Sequence, residues 1–126
     1  MTRLTWIFVA VLVGGCGDDG EEVDRLGIGA QCTDSEQCNV DDGQSCLLGF
    51  KGGYCGRMGC TADLDCPALS ACIAHTDGVN YCFRTCVDKP ECNVNRDVDN
   101  ESNCSSSATF VDPQNGRKAC VPPSGG

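Results

Sequence analysis

The stretch "CTADLDCPALSACIAHTDGVNYC", residues 60–82, contains the pattern that decides the fold. Its first two cysteines enclose five residues, and its last two flank the pair Asp77-Gly78. An Asp-Gly pair between two strand-forming runs is a strong signal for a β-hairpin. The stretch therefore predicts one small unit, in which a leading loop and a hairpin each carry two cysteines.

The same four-cysteine arrangement occurs three times along the chain. Five residues separate the first two cysteines in every copy, in "CTDSEQC", "CTADLDC" and "CVDKPEC". Gly52-Gly53 and Asn115-Gly116 supply turn signals in the first and third copies. We therefore predict three tandem units, 32–58, 59–84 and 85–126, the last ending in a flexible tail, "VPPSGG".

The hairpin register limits the disulfide pairing within a unit. A two-residue turn at Asp77-Gly78 places Cys72 opposite Phe83 and Ile73 opposite Cys82, so Cys72 and Cys82 point to opposite faces and are not expected to bond. The first two cysteines, six residues apart, lie on different faces of a helical turn. Two connectivities remain: first-to-third with second-to-fourth, or first-to-fourth with second-to-third.

We favour first-to-third with second-to-fourth, because it ties the leading loop to both strands of the hairpin. Each bridge then stabilises the unit by about 3 kcal/mol in the chain-entropy description. The expected pairs are Cys32–Cys46, Cys38–Cys55, Cys60–Cys72, Cys66–Cys82, Cys86–Cys104 and Cys92–Cys120.

The composition agrees with a fold held by disulfides. A net charge of −9 and few large aliphatic residues would normally predict disorder. Twelve of the 13 cysteines, however, fall within residues 32–120, and such a density is typical of small extracellular scaffolds. We predict a small disulfide-rich protein of three tandem four-cysteine units with short β-hairpins and little helix.

The remaining cysteine, Cys16, follows a different kind of segment. Arg3 precedes the apolar run "LTWIFVAVLV". This run has ten residues, whereas a helix needs about 20 residues to span a bilayer. It is typical of the apolar core of a secretory signal. The following "LVGGC" resembles the lipobox of bacterial lipoproteins.

This resemblance implies that residues 1–15 are a signal peptide that is removed and that Cys16 becomes a lipidated N-terminus. An ordinary secretory cleavage, leaving Cys16 as a free thiol or an intermolecular bridge, is the alternative. Lipidation leaves an even twelve cysteines for six bridges. Two or more acyl chains anchor a protein stably to a membrane, and we expect no cofactor besides this covalent lipid.

Residues 16–31 are predicted to form an acidic spacer between the lipid and the units. In lipoproteins, an aspartate directly after the lipidated cysteine favours retention in the inner membrane. Here Gly17 follows Cys16 and Asp18 comes next. The resemblance therefore favours the outer membrane over the inner one.

The repeats themselves resemble short cysteine-rich repeats of exported bacterial lipoproteins. The "C-x-x-D-x-D-C" spacing of "CTADLDC" is also similar to the N-terminal cysteine-rich region of Dickkopf proteins. The first copy departs from it at Glu36-Gln37 and the third at Pro90-Glu91. The resemblance implies a small disulfide-knit unit and no particular activity.

Metal sites have little support in the sequence. Structural zinc sites use closely spaced cysteine pairs, but there is no C-x₂-C and only one histidine. Asp97, Asp99 and Glu101 alternate as calcium ligands do, although the loop lacks the glycine and the spacing of an EF-hand. We interpret this acidic loop as solvated, and the acids of the leading loops, such as Asp34 and Asp65, as caps of local turns.

Catalysis and nucleic-acid binding are not expected. His75, the single histidine, is predicted to be an exposed strand residue, and no nucleophile motif accompanies it. A chain this acidic repels phosphates. The aromatic residues Phe50, Tyr54, Tyr81 and Phe83, with Arg84 beside them, are expected to cover the disulfides as a miniature core rather than to form a recognition patch.

The leading hypothesis is therefore a non-enzymatic binding or adhesion module, anchored at the cell envelope and recognising a protein or a glycan. A structural spacer without a specific ligand is the first alternative. The second is a protease inhibitor that presents Arg57-Met58 or the loop 93–103 to a protease.

Overall fold

A computed structural model describes residues 27–113 and 116–125. The predicted signal peptide, the lipidation site Cys16, most of the acidic spacer and Asn115 lie outside the described residues.

The described chain is built from short strands and single helical turns. The strands are β1 (Ser45–Cys46), β2 (Cys55–Met58), β3 (Ser70–Ala74), β4 (Asn80–Cys86), β5 (Asn103–Ser105), β6 (Thr109–Phe110) and β7 (Lys118–Val121). The 3₁₀ turns are η1 (Ser35–Gln37), η2 (Val40–Asp42), η3 (Asp63–Asp65) and η4 (Val98–Asn100), and α1 (Lys89–Cys92) is one turn of α-helix. The chain is a small disulfide-rich protein of mostly antiparallel strands with little helix, as predicted.

The strands of the three units join into one antiparallel sheet. Its main path runs β1-β2-β4-β3-β6, and β7 pairs with both β4 and β5. The long strand β4 of the second unit thus contacts β2 of the first unit and β7 of the third. The three units are neighbours in one sheet rather than separate beads.

In every unit the third and fourth cysteines lie directly opposite each other across two strands. The pairs are Cys46 and Cys55, Cys72 and Cys82, and Cys104 and Cys120. Each of these cysteines is bonded not to the other but to a cysteine of the leading loop, which fastens that loop across the hairpin. The bridges are Cys32–Cys46, Cys38–Cys55, Cys60–Cys72, Cys66–Cys82, Cys86–Cys104 and Cys92–Cys120.

The predicted register of the second hairpin is wrong by one residue. Cys72 pairs with Cys82 and Ile73 with Tyr81, so the two cysteines share a face. The cause is a three-residue loop: the His75 N–H donates to the Val79 carbonyl, and Gly78 has φ = +86°. Such a loop places the glycine in the left-handed position of a bulge. The predicted first-to-third pairing is present in the structure. However, the argument that Cys72 and Cys82 cannot bond because they point to opposite faces is wrong.

The third unit departs further from a simple hairpin. The strand preceding Asn115-Gly116, β6, pairs with β3 of the second unit and not with β7. Part of the predicted flexible tail contacts the first unit: an isolated β-bridge pairs Phe50 with Ser124, and the Lys51 N–H donates to the Pro123 carbonyl at 3.0 Å. The end of the third unit therefore closes onto the first unit.

A single main apolar cluster serves all three units. It consists of Leu47, Phe50, Tyr54, Ala71, Ile73, Tyr81, Phe83 and Ala119. The first unit contributes three of these residues, the second four and the third one. The four aromatic residues are buried in this cluster, as predicted, but it contains no disulfide-bonded cysteine, several of which form clusters of their own. Arg84 lies outside it and is half-buried.

The leading loops share a capping arrangement. The side-chain oxygen of the residue before the second cysteine accepts hydrogen bonds from the two N–H groups that follow the first cysteine. This residue is Gln37, Asp65 or Glu91, and the distances lie between 2.7 and 3.4 Å. The predicted capping by Asp65 is confirmed, and its hydrogen bonds with the Thr61 N–H and hydroxyl lower the pKa of this carboxyl.

Candidate functional site

A cavity of about 250 Å³ lies beside His75, where β3, β6 and β7 meet residues 122–124. Ile73, Val121 and Pro122 supply apolar walls. Thr76, Thr109 and Ser124 supply hydroxyl groups. Because Ser124 is held by its bridge to Phe50, the cavity depends on contacts among all three units.

His75 is held at this cavity by aromatic rings. Its imidazole centroid lies 5.5 Å from those of Phe50 and Phe83 and 5.8 Å from that of Tyr81, each in an edge-to-face arrangement. His75 is half-buried and begins the hairpin loop, so the prediction of an exposed strand residue is wrong. Among the residues that the structure describes, none is hydrogen-bonded to its imidazole nitrogens.

The lining of this cavity contains no carboxylate, lysine or arginine side chain. The segments around it, 73–76, 105–109 and 121–124, contain no Asp, Glu, Lys or Arg, although the whole chain has a net charge of −9. Ser105 and Ser107 hydrogen-bond each other at 3.0 Å. The hydroxyls of Thr76, Thr109 and Ser124 have no partner within the described part of the chain. Such a site can exchange neutral hydrogen bonds with a ligand.

A second, more open groove of about 340 Å³ is partly basic. Arg84, Arg117 and Lys118 line it together with Glu91. Arg117 is already neutralised by Asp63, at 2.8 Å between its Nη1 and the carboxylate. The groove therefore offers less net positive charge than its residues imply.

Two tyrosine hydroxyls are engaged inside the sheet. The fully buried Tyr54 hydroxyl donates to the Cys120 carbonyl at 2.9 Å and accepts from the Arg84 N–H at 3.0 Å, and burial raises its pKa. Burial and a 2.7 Å hydrogen bond to Asp77 raise the pKa of Tyr81 to about 12. The same hydrogen bond lowers the pKa of the Asp77 carboxyl.

The acids of the proposed calcium loop are not brought together. Asp97 accepts a hydrogen bond from Gln31, and Glu101 pairs with Lys89 at 2.8 Å. Asp99 makes no contact of this kind with any described residue. Within the described ranges, the groups of three metal-ligating side chains found close together consist of disulfide-bonded cysteines.

Neither segment considered as protease bait is a free loop. Arg57 and Met58 belong to β2 and pair with β4, and the Arg57 side chain donates to the Asp65 carbonyl at 2.8 Å. The loop 93–103 is anchored by Arg96, which is 8% exposed. Its guanidinium donates to the carbonyls of Lys51 and Gly53 at 2.8 and 2.7 Å.

Arg96 is a buried residue that links two units and that the sequence does not identify. It joins the loop of the third unit to the backbone of the first, and burial lowers its pKa. An arginine in a polar loop has no distinguishing pattern, so no sequence signal could have identified it.

The chain was compared with protein-family models, with curated proteins and with solved structures, and none of the three comparisons finds a match. In the described residues, no helix has the length and apolarity needed to cross a bilayer.

Proposed function

We propose that this chain is an exported lipoprotein that presents three fused cysteine-rich units as a non-catalytic binding module at the cell envelope. Cys16 carries the lipid and begins the acidic spacer of residues 16–31, which separates the lipid from the cysteine-rich units, and the outer membrane is the favoured location. The carrying observation is the division of the cysteines: twelve form six disulfides, and Cys16 is the thirteenth, directly after a lipobox-like segment.

Export is supported by the disulfides themselves. Stable bridges form in oxidising compartments and are rare in the cytosol. A binding role is supported by the uncharged cavity beside His75, which is assembled from distant parts of the chain. A pure spacer would need no such cavity, so the cavity favours binding over the structural alternative.

Intact mass spectrometry of the membrane-extracted protein tests this proposal. We expect an N-terminus at Cys16 with diacylglycerol and an amide-linked acyl chain, and a gain of twelve hydrogens when the six disulfides are reduced. The variant Cys16→Ser is expected to leave the membrane fraction, whereas Ser107→Ala should remain in it. An unacylated wild-type chain would contradict the anchor, and a smaller gain of hydrogens would contradict the six bridges.

A further inference from the structure

We propose that the cavity beside His75 binds one uncharged sugar unit of a glycan. This inference names a ligand class for the proposed binding role and rests on that role.

The absence of charge in the lining selects for a neutral ligand. An ionised group that entered the cavity would lose hydration and meet no opposite charge among the lining residues, which is costly. The acidic protein as a whole also repels anions. Acidic sugars and phosphorylated ligands are therefore disfavoured.

The polar groups of the cavity match hydroxyl-bearing ligands. A threonine or serine hydroxyl both donates and accepts a hydrogen bond, and a neutral imidazole does one at each nitrogen. His75, Thr109 and Ser124 are all without a hydrogen-bonding partner in the described chain. Sugar hydroxyls also donate and accept, so they can satisfy these groups. Thr109 and Ser124 are exposed to water in the free protein, so a purely apolar ligand that covered them would leave their hydroxyls unpaired, at a cost of about 1–3 kcal/mol for each covered group.

The apolar walls and the size of the cavity favour a single ring. The C–H face of a sugar ring can pack on the apolar residues of the lining, of which Val121 is half-buried and Ile73 and Pro122 are buried behind the surface. The volume of about 250 Å³ lies below the roughly 300–1,000 Å³ typical of sites for drug-sized molecules. One sugar unit fits this scale, with the rest of the glycan outside.

Two of the polar residues of the site are positioned by the fold itself. Three aromatic rings hold the imidazole of His75, and Thr109 lies on β6, paired with Ala74 of β3. Pre-organised groups lose little freedom on binding, so even a small contact area can discriminate between ligands.

The single histidine makes the test direct, because the only imidazole resonance of the full oxidised protein reports on the cavity. We would titrate isotope-labelled protein with the methyl glycosides of glucose, galactose, mannose and N-acetylglucosamine. The charged counterparts are methyl glucuronide and glucosamine, and an uncharged tetrapeptide is the peptide arm. We expect a saturable shift of the His75 resonance with at least one neutral glycoside, and at least tenfold weaker binding of its charged counterpart.

Thr109→Val removes one cavity hydroxyl, and Thr85→Val is the matched control because Thr85 lines the other groove. We expect Thr109→Val to weaken binding about fivefold, the value of one net hydrogen bond, and Thr85→Val to leave it unchanged. The proposal is overturned if no neutral glycoside shifts the His75 resonance, or if the charged ligands or the peptide bind as tightly as the neutral glycoside. It is also overturned if Thr109→Val and Thr85→Val weaken binding equally. Acylation of Cys16 is measured separately, so failure here is distinguishable from failure of the anchored-module proposal.

Discussion

Tyr54 illustrates how single polar atoms connect distant segments within the core. Its buried hydroxyl bonds to the backbone of Cys120 in β7 and of Arg84 in β4. Tyr54→Phe would keep the ring but remove the hydrogen bonds that the hydroxyl makes with the buried Cys120 carbonyl and the half-buried Arg84 N–H. Since each unsatisfied group costs about 1–3 kcal/mol, we expect the free energy of unfolding to fall by about 2–4 kcal/mol in guanidinium titrations.

Tyr81→Phe is the matched control for this substitution. Its hydroxyl bonds to the side chain of Asp77 in an exposed loop, where water can replace the lost partner. We expect a loss of about 1 kcal/mol or less. Equal losses in the two variants would show that the Tyr54 hydroxyl does not link β4 and β7 energetically.

The two tyrosines also predict the behaviour of the protein in alkali. The folded state raises both pKa values, that of Tyr81 to about 12, above the unperturbed value of about 10. Their contribution to stability is therefore fully present below about pH 10 and is lost as the pH rises towards 12.

Rapid spectrophotometric titration measures this effect, because the chain has only two tyrosines. In the oxidised protein we expect no phenolate absorbance near pH 10, and in the reduced, denatured chain both tyrosines should ionise there. A folded-state titration with a midpoint near pH 10 would show that one hydroxyl is accessible and unbonded.

For single residues, the sequence predicts which side chains are buried better than it predicts their hydrogen-bonding partners. The burial of Phe50, Tyr54, Tyr81 and Phe83 could be foreseen, because little else in the chain can form a core. The hydrogen bonds of Tyr54 and Arg96 could not. Tyr54 bonds to the Cys120 carbonyl 66 residues away and to the Arg84 N–H 30 residues away. Arg96 bonds to the Gly53 carbonyl 43 residues away. No local pattern encodes such contacts.

Among the elements, the first hairpin depends on Gly53. It has φ = +71°, and a Cβ placed there would lie 2.0 Å from the Cys32 carbonyl oxygen. Gly53→Ala must therefore displace the backbone of Cys32, which carries the bridge to Cys46. We expect a low yield of the six-disulfide form on oxidative refolding, measured by mass spectrometry.

Gly59→Ala separates this clash from backbone strain. Gly59 has φ = +91°, but nothing lies within 4 Å of an added Cβ. The alanine should cost about 1–2 kcal/mol for its left-handed conformation and still oxidise fully. If both variants refold with the same yield, close packing of Gly53 against Cys32 does not limit formation of the first unit.

The elements also show why turn signals are informative but incomplete. Asp77-Gly78 marks a real hairpin, but its glycine serves a three-residue loop as well as it serves a two-residue turn, so the register stays open. In the third unit, β6 has only two residues and pairs with β3. A strand this short has no periodicity from which its partner could be inferred.

For the whole molecule, the structure predicts one cooperative unit rather than three. Cysteine spacing is local and repeats, so it can be foreseen that the bridges stay within each unit, although the spacing leaves two connectivities open. The pairing of β4 with both β2 and β7 arises from surfaces that exist only after the hairpins form. Six bridges inside three units could hold three independent domains, but the shared core and the Arg96 anchor argue against this.

Removing one bridge of the third unit tests the cooperativity. The double variant Cys92→Ala/Cys120→Ala opens a loop of sequence separation 28, which should cost about 3–4 kcal/mol in the chain-entropy description. If the sheet unfolds as a whole, hydrogen exchange at the Leu47 N–H, bonded to the Tyr54 carbonyl at 2.8 Å within the first unit, should accelerate as much as exchange in β7. The variant Cys60→Ala/Cys72→Ala removes a bridge of separation 12 in the second unit. It should also accelerate hydrogen exchange at Leu47 and in β7 by factors that are similar to each other. If exchange at Leu47 stays at its wild-type rate while β7 opens, the first unit folds independently. The contacts between units that form the cavity beside His75 would then not be part of one cooperative structure.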